Sequence, residues 1–501
     1  MTVSDRVPPQ LALATLLLAA LWAHLGGLAN GFVYDDHRFV ETNRALSTLT
    51  VETAFTDQGS HTADRDRDVY RPLRALGHGF DLRRWGLDPF GFHLHSLLVH
   101  LANVILAWLL LRRMFPDPVH RTVALLGAGL LAVHPLGVEV VDWVSSRGDL
   151  YAVFFSLGAL WFALGPKLWA VVPAAVFACM AVLGKESAAV IPAVALAYLL
   201  IRPLSSGDDE DSPRSETVAS SGPRLDVRRW IAVIALSVGV LAALVLRQQA
   251  LAGLTPVQTP PHGGSWGSQV GWSLYGLTRS LGLVGLPVGL SVDHPQDLWA
   301  AGSSVWFRPR TWLGVAFLLA PLLALFRGRR TVGWFLAGWA LLAWLPSGSL
   351  IVTLRSLVSD RSAYPMLIPL GALAGLLVAG NSRRGLLSLV ALTLVYGTVA
   401  QDRVAVFLSD ESLWRDVLLQ NPRSVQARLG LAMVEEQPDV SGRLLEDAVA
   451  VAAPGSKLEA AALARLGDHR LRQERRVCSA GPSWNDREQI FRPPNHPWRW
   501  G

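Results

Sequence analysis

Charged residues are scarce in this chain of 501 residues: Asp, Glu, Lys and Arg together make up 17%, below the share an ordinary soluble protein carries. Cysteine is nearly absent. Cys179 sits inside an apolar run and Cys478 in the tail, so neither a disulfide framework nor a zinc site is implied. A Walker loop and an HExxH pair are missing, as are a GxSxG elbow and a GxGxxG turn in a strand–helix context, which leaves no motif for the enzyme classes built on them. The net charge is +6, but no basic stripe interleaved with aromatics accompanies it, so nucleic acid is not an expected partner.

What fills the chain is apolar sequence. Hydrophobic residues make up 51% and the mean hydropathy is +0.33, and many runs reach the ~20 residues needed to cross a hydrocarbon core of ~30 Å. The 19 Trp residues suit an interfacial aromatic belt better than a soluble core. The chain reads as an all-α, polytopic membrane helix bundle. Candidate spans are 9–29, 92–111, 122–142, 149–165, 167–184, 187–202, 230–249, 311–326, 331–350, 364–380 and 386–401. Arg112, Arg113, Arg121, Lys167, Arg202, Arg228, Arg229, Arg327, Arg329, Arg330, Arg383 and Arg384 fall in alternate loops, which places the N-terminus in the cytoplasm. Arg6 and a short apolar stretch also fit a cleavable signal peptide, but no clean small-x-small site precedes Gly31 and the following spans need an in-to-out start. The 269–289 run is apolar enough to cross. A crossing there would put Arg327–Arg330 and Arg383–Arg384 on the far side, so it reads as interfacial or re-entrant. About eleven spans and an exported C-terminus follow.

The membrane domain therefore covers 1–402, with an exported loop at 31–90 and a cytoplasmic linker at 203–229, Ser-, Asp-, Glu- and Pro-rich, that reads as disordered. Residues 403–472 read as amphipathic helices in which Ala427-Arg428-Leu429-Gly430 recurs as Ala464-Arg465-Leu466-Gly467, close to the ~34-residue tetratricopeptide period. Residues 473–501, rich in Arg, Pro and Trp, read as unstructured.

On this topology one face collects charge at the ends of several spans. Asp35-Asp36 follows the first span, and one of two adjacent acids at a lipid–water boundary is expected to have a raised pKa. Arg71, the His134 to Asp149 block with Glu139 and Arg147, Lys185-Glu186, and Arg361 with Tyr364 join them. Charges at a membrane boundary are costly, so each is a candidate functional residue; snorkelling toward water is the competing reading for Arg147 and Lys185. His93 and His100 share a helix face and suit interhelical hydrogen bonding better than a metal. No cofactor is implied, although Asp35-Asp36-His37 leaves a divalent cation open.

The ordered set of Asp35-Asp36, Tyr70-Arg71-Pro72-Leu73, Gly86 to His93 running into Leu97-Leu98-Val99-His100, His134-Pro135 to Asp149, Lys185-Glu186, Asp360-Arg361-Ser362-Ala363-Tyr364 and a repeat-like tail resembles the transmembrane-and-tetratricopeptide O-mannosyltransferase-like proteins and their bacterial relatives, within the C-type membrane glycosyltransferase superfamily. The likeness covers 30–200 and, less closely, 265–470. The chain departs from the family in its short repeat tail and in Ser362-Ala363, where relatives more often carry larger residues.

The resemblance implies a glycosyltransferase of a bacterial inner membrane that moves a sugar, mannose in the family's name, from a polyprenyl-phosphate donor to an acceptor hydroxyl at the exported face, an exported protein being one candidate acceptor. The chemistry asked of the residues is consistent. A lipid tail needs an apolar groove, its phosphate needs Arg or Lys, and the acceptor hydroxyl needs a carboxylate base. Asp35 and Asp36 are the candidate catalytic pair, the family's pattern leaning toward Asp36 as base. Arg71, His134, Glu139, Arg147, Lys185, Glu186, Arg361 and Tyr364 are the candidate substrate-binding set, and Tyr34 and Trp143 could stack on a sugar. A transporter would place charges near the bilayer midplane. A non-catalytic membrane scaffold presenting helical repeats to exported partners is the alternative that stays open.

Overall fold

The computed structural model describes residues 8–61, 69–117, 120–201, 227–252, 259–294, 304–326, 331–354, 356–379 and 381–479. All regular structure among the described residues is helical, as expected where lipid leaves backbone groups no partner but each other. The chain is a multi-pass integral membrane helical bundle followed by further C-terminal helices, and it divides into two compact units at Asp416/Val417.

The first unit contains α1 (Pro9–His24), α2 (Pro72–Trp85), α3 (Pro89–Met114), α4 (Arg121–Val133), α5 (Arg147–Ala163), α6 (Val171–Gly184), α7 (Ile191–Ile201), α8 (Val227–Ala250), α9 (Trp266–Gly285), α10 (Pro309–Phe326), α11 (Val332–Trp344), α12 (Leu367–Leu377), α13 (Ser382–Leu392), α14 (Thr398–Val406) and the start of α15 (Asp410–Gln420). Among the described residues, four stretches are long and apolar enough to cross a membrane: Pro9–Ala29, Pro89–Met114, Val227–Ala250 and Arg383–Val406. Residues 121–141 make a fifth only as a bent pair, broken by 54° at His134-Pro135, because Pro135 has no N–H to continue α4. The other expected spans are shorter helices. The 13 residues of α11, for example, reach only about 20 Å, less than a hydrocarbon core. Most of the 269–289 run lies in α9, which ends at Gly285 and has Gln269, Trp272, Leu277 and Leu283 among its buried residues.

Local signals explain the elements that carry the site. Asp88 caps α3 by accepting from the Phe90 N–H, with Pro89 at its first position. Pro72 likewise opens α2 immediately after Arg71. The described residues of 31–90 include a short helix (Val51–Thr56), several tight turns and α2. α5 and α6 close on each other at Gly148, where a Cβ would meet the Gly184 carbonyl at 2.8 Å.

In the second unit, α16 (Val425–Val434), α17 (Pro438–Val451) and α18 (Lys457–Ser479) share a core of Val425, Leu429, Leu445, Ala448, Ala462 and Leu466. Leu429 and Leu466, equivalent positions of the repeated tetrapeptide, enter the same core. The 473–479 stretch is the last part of α18; 480–501, and the linker up to 226, lie outside the described residues.

Candidate active site

The backbone turns sharply where the first span ends. Tyr34 adopts a left-handed conformation, φ 53°, uncommon for a bulky residue and held only where surrounding contacts require it. Its N–H donates to Asp410 Oδ1 at 2.7 Å, and its ring stacks on Trp143 at 5.5 Å and meets Trp414 edge-on at 4.8 Å. Asp410 also takes His37 Nε2 at 2.6 Å, while the other ring nitrogen faces Glu41. The hydrogen bond to Asp410 raises the His37 pKa to about 9, with Glu41 adding to it against the burial that lowers it. The start of α15 thus holds the turn that presents Asp35-Asp36.

The two acids differ in environment. Asp36 is fully buried. Its Oδ1 accepts from the Ser145 N–H at 2.7 Å and from the Ser145 hydroxyl, and its Oδ2 accepts from the Val33 N–H at 3.2 Å. Burial pushes its pKa up to about 7, against the pull of those hydrogen bonds and with a smaller contribution from the charge of Asp35. Asp35 keeps 18% of its side chain exposed and is paired with Arg38. The raised pKa expected of one member of the pair falls on Asp36, and the accessible carboxylate is Asp35.

Four cationic side chains extend from this pair. Arg71 and Arg74 both feel the Asp35 charge, and Arg71 Nη2 lies 3.2 Å from Glu186 Oε1. Lys185 Nζ is 2.5 Å from Asp149 Oδ1. Burial pushes its pKa down, Asp149 opposes this, and Arg71 and Arg361 are close enough to repel it further. Arg361 pairs with the buried Glu139 at 3.0 Å and lies 4.8 Å over the Trp143 ring. Asp35, Asp36, Arg71, Glu139, Lys185, Glu186 and Arg361 are therefore gathered at one end of the bundle. Among the described residues no three His, Cys, Asp or Glu side chains form a set that could hold a metal ion.

An apolar groove opens from this charge cluster. It runs between α5, α7, α11 and the start of α12, has a cavity volume of about 70 Å³, and is lined by Val153, Leu157, Ile191, Val194, Trp339 and Ile368, with Asp149 and Ser187 at its polar end.

Three other candidates lie elsewhere. Arg147 is completely enclosed: it pairs with Asp81, donates from Nη2 to the Phe92 carbonyl at 2.6 Å and from Nε to the Ser96 hydroxyl at 3.2 Å. It neither snorkels to water nor faces the groove. His134 sits 2.9 Å from the Val284 carbonyl and accepts the Leu136 N–H. The Tyr364 hydroxyl is 2.8 Å from His100 Nδ1 and 3.3 Å from Asn103 Nδ2, a buried link between α3 and the turn before α12.

Comparison with known proteins adds a relationship to this geometry. The chain is 32% identical over 137 residues to protein O-mannosyl-transferase Tmtc1 of Drosophila melanogaster, covering 25% of this chain and 15% of that protein. It is 30% identical over 208 residues to protein O-mannosyl-transferase tmtc2 of Xenopus laevis, covering 37% and 24%, and 31% over 150 residues to TMTC3 of Homo sapiens, covering 29% and 16%. The relationship is distant and partial. The alignments span a quarter or less of these relatives' length, and no family model matches the chain.

Some residues that build the site were not singled out from sequence. Asp81 looks like a surface acid beside Arg83 and Arg84, yet Arg74, His78 and Asp81 recur at helical spacing on one buried face of α2; a polar stripe at apolar spacing was the available signal. Asp410 carried none, since its partners are 373 and 376 residues away in sequence.

Proposed function

We propose that this chain is a membrane glycosyltransferase that takes a sugar from a polyprenyl-phosphate donor and passes it to an acceptor hydroxyl, with Asp35 as the base. The observation that carries the reading is the double role of Asp149: it heads the apolar groove and also pairs with Lys185. From there Arg71 and Arg361 lead electrostatically back to Asp35. A donor whose isoprenoid chain occupies the groove would bring its phosphate to these cations and its sugar toward the carboxylate. The relatives named as O-mannosyl-transferases support the same class of reaction.

In the reaction the acceptor oxygen bonds to the sugar's anomeric carbon as the bond from that carbon to the donor phosphate oxygen breaks. The hydroxyl proton passes to Asp35, and polyprenyl phosphate leaves with the bonding electrons, its charge held by Lys185, Arg71 and Arg361. Such a direct displacement inverts the anomeric configuration. Asp36 is a positioning residue: enclosed by Val33 and Ser145, it holds the turn that aims Asp35. This departs from the family-based lean toward Asp36, because a base must reach its proton. The K/R distribution supports the exported side for this end of the bundle and an architecture of about eleven crossings, with the shorter helices and breaks serving the site.

Turnover of polyprenyl-phosphate sugars by purified wild type and Asp35→Asn in matched detergent preparations tests the reading. Transfer by wild type with a loss of about 10²–10⁴-fold in Asp35→Asn is expected. Undiminished transfer by Asp35→Asn would move the chemistry elsewhere, and absence of transfer from wild type with every donor would favour the scaffold.

A further inference from the structure

A second cavity lies at the opposite end of the same helices. α5 has 17 residues, so about 24 Å separates Arg147 at its start from Ala163 at its end. There the last turns of α3, α5 and α7 meet the first turns of α8 around a cavity of about 580 Å³. Three arginines line it, Arg113, Arg228 and Arg229, and no carboxylate does among the described residues. The remaining wall is apolar, with Leu164, Leu199 and Val233 facing the space.

The arginines have a structural task that uses only part of their capacity. Arg113 Nη1 donates to the Trp161 carbonyl at 3.0 Å and Arg228 Nη2 to the Ala163 carbonyl at 3.2 Å, which satisfies orphan carbonyls at the C-terminus of α5. Each guanidinium has five donors, and Arg228 Nε is buried without an acceptor. Neither Arg113 nor Arg228 has a carboxylate partner among the described residues, and the two are close enough to act on each other as like charges. Two half-buried cations held side by side with unspent donors call for an anion.

Its surroundings say which anion. The next turn carries Lys167 with Leu168 and Trp169, 56% and 62% exposed, a basic and aromatic edge of the kind found at the lipid headgroup level. Below the cavity, Ile234, Val238 and Leu241 form an exposed apolar line along α8, a track for acyl chains. We propose that the cavity is a binding site for an anionic glycerophospholipid, whose phosphate bridges Arg113 and Arg228 while its chains follow α8. Basic pockets between transmembrane helices on the cytoplasmic side recognise such headgroups. The site is separate from the proposed donor groove, and it stands or falls independently of the transferase reading.

Native mass spectrometry of the detergent-purified full chain, titrated with dioleoyl phosphatidylglycerol, tests this. Dioleoyl phosphatidylcholine and inorganic phosphate serve as the comparison ligands. Wild type should retain phosphatidylglycerol over phosphatidylcholine, and the double variant Arg113→Gln/Arg228→Gln should bind it at least about tenfold more weakly. Arg113→Lys/Arg228→Lys should keep most of the binding, and Arg383→Gln/Arg384→Gln, which removes the same charge at another site, should bind as wild type does. If the Gln pair does not fold, Leu164→Trp fills the cavity from its apolar wall and should exclude the lipid. Unchanged binding in the Gln pair or in Leu164→Trp overturns the site. An equal loss in the Arg383/Arg384 control reduces it to bulk charge, and displacement by inorganic phosphate alone makes it a soluble-anion site; either result overturns the lipid assignment.

Discussion

Asp36 and Ser145, 109 positions apart, are joined by two hydrogen bonds to one carboxylate oxygen, from the Ser145 backbone N–H at 2.7 Å and from its hydroxyl. This contact ties the mouth of the first span to the turn before α5. A parallel tie joins His24 Nδ1 to Asp142 Oδ2 at 2.9 Å, with Gly27 leaving room: a Cβ there would meet Asp142 Oδ1 at 1.7 Å. Together they make the Asp35 turn part of a rigid frame, as a site built for a defined geometry requires.

The ionisation of Asp36 and His37 sets a pH dependence of stability. Folding raises Asp36 from 3.8 to about 7 through burial, so the folded chain holds a proton that the unfolded chain releases above about pH 4. Stability therefore falls as pH rises through this window and stays at the lower level above it. Folding raises His37 from 6.5 to about 9 through its hydrogen bond to Asp410; that stabilisation is complete below 6.5 and lost as pH rises through 9. Melting temperature measured across the range should decline in both windows. Asp36→Asn should flatten the lower decline and His37→Gln the upper one; a lower decline of full size in Asp36→Asn would rule out that carboxyl as its source.

Arg147 and Asp81 should behave as a structural pair. Both are fully enclosed, and although Asp81 also pairs with His95 Nδ1 at 2.8 Å, removing the Arg147 charge takes away its buried cation, a cost of up to about 3–5 kcal/mol. Arg147→Met alone should sharply lower the detergent melting temperature, and Arg147→Met/Asp81→Leu should recover much of the loss. Arg71→Ala and Lys185→Ala, in contrast, should raise the apparent donor KM, losing about 1.5–3 kcal/mol of donor binding, with far smaller changes in melting temperature. A normal donor KM in both of these variants would remove them from the donor site.

The groove between α5, α7 and α11 makes a prediction about chain length. Ala343 lines it and is half-buried, so Ala343→Trp should fill the space at an overpacking cost of about 1–3 kcal/mol. KM for a long polyprenyl donor should rise more than KM for a short-chain analogue. An equal effect on both would show that the chain lies elsewhere.

Topology can be tested on exposed positions. Glu52 and Arg384 are both exposed, and the Arg distribution assigns them to opposite sides. In a background with Cys179→Ser and Cys478→Ser, a membrane-impermeant thiol reagent should reach Glu52→Cys from the exported side and Arg384→Cys only from the cytoplasmic side. Labelling of both from one side would overturn the orientation.

Sequence by itself determined where the chain enters lipid, because a run of apolar residues is a local property. Leu11 to Leu28 and the stretch after Pro89 could be located by reading along the chain, and the bend at Pro135 follows from one missing N–H. The number of full crossings was less legible: apolar stretches such as 331–350 suggest full spans, whereas Val332–Trp344 is a short helix. Apolarity reports burial in lipid or protein alike and does not by itself set helix length. The adjacency of Asp35 and Asp36 was equally plain, but their difference was not. Tertiary structure enclosed Asp36 against Ser145, matched Arg147 with Asp81 across 66 positions, and brought Asp410 across 373 positions to His37. Such pairings have no periodicity to read. They are settled only when packed helices decide which polar groups lose water, since a buried charge must then find a partner wherever in the chain one lies.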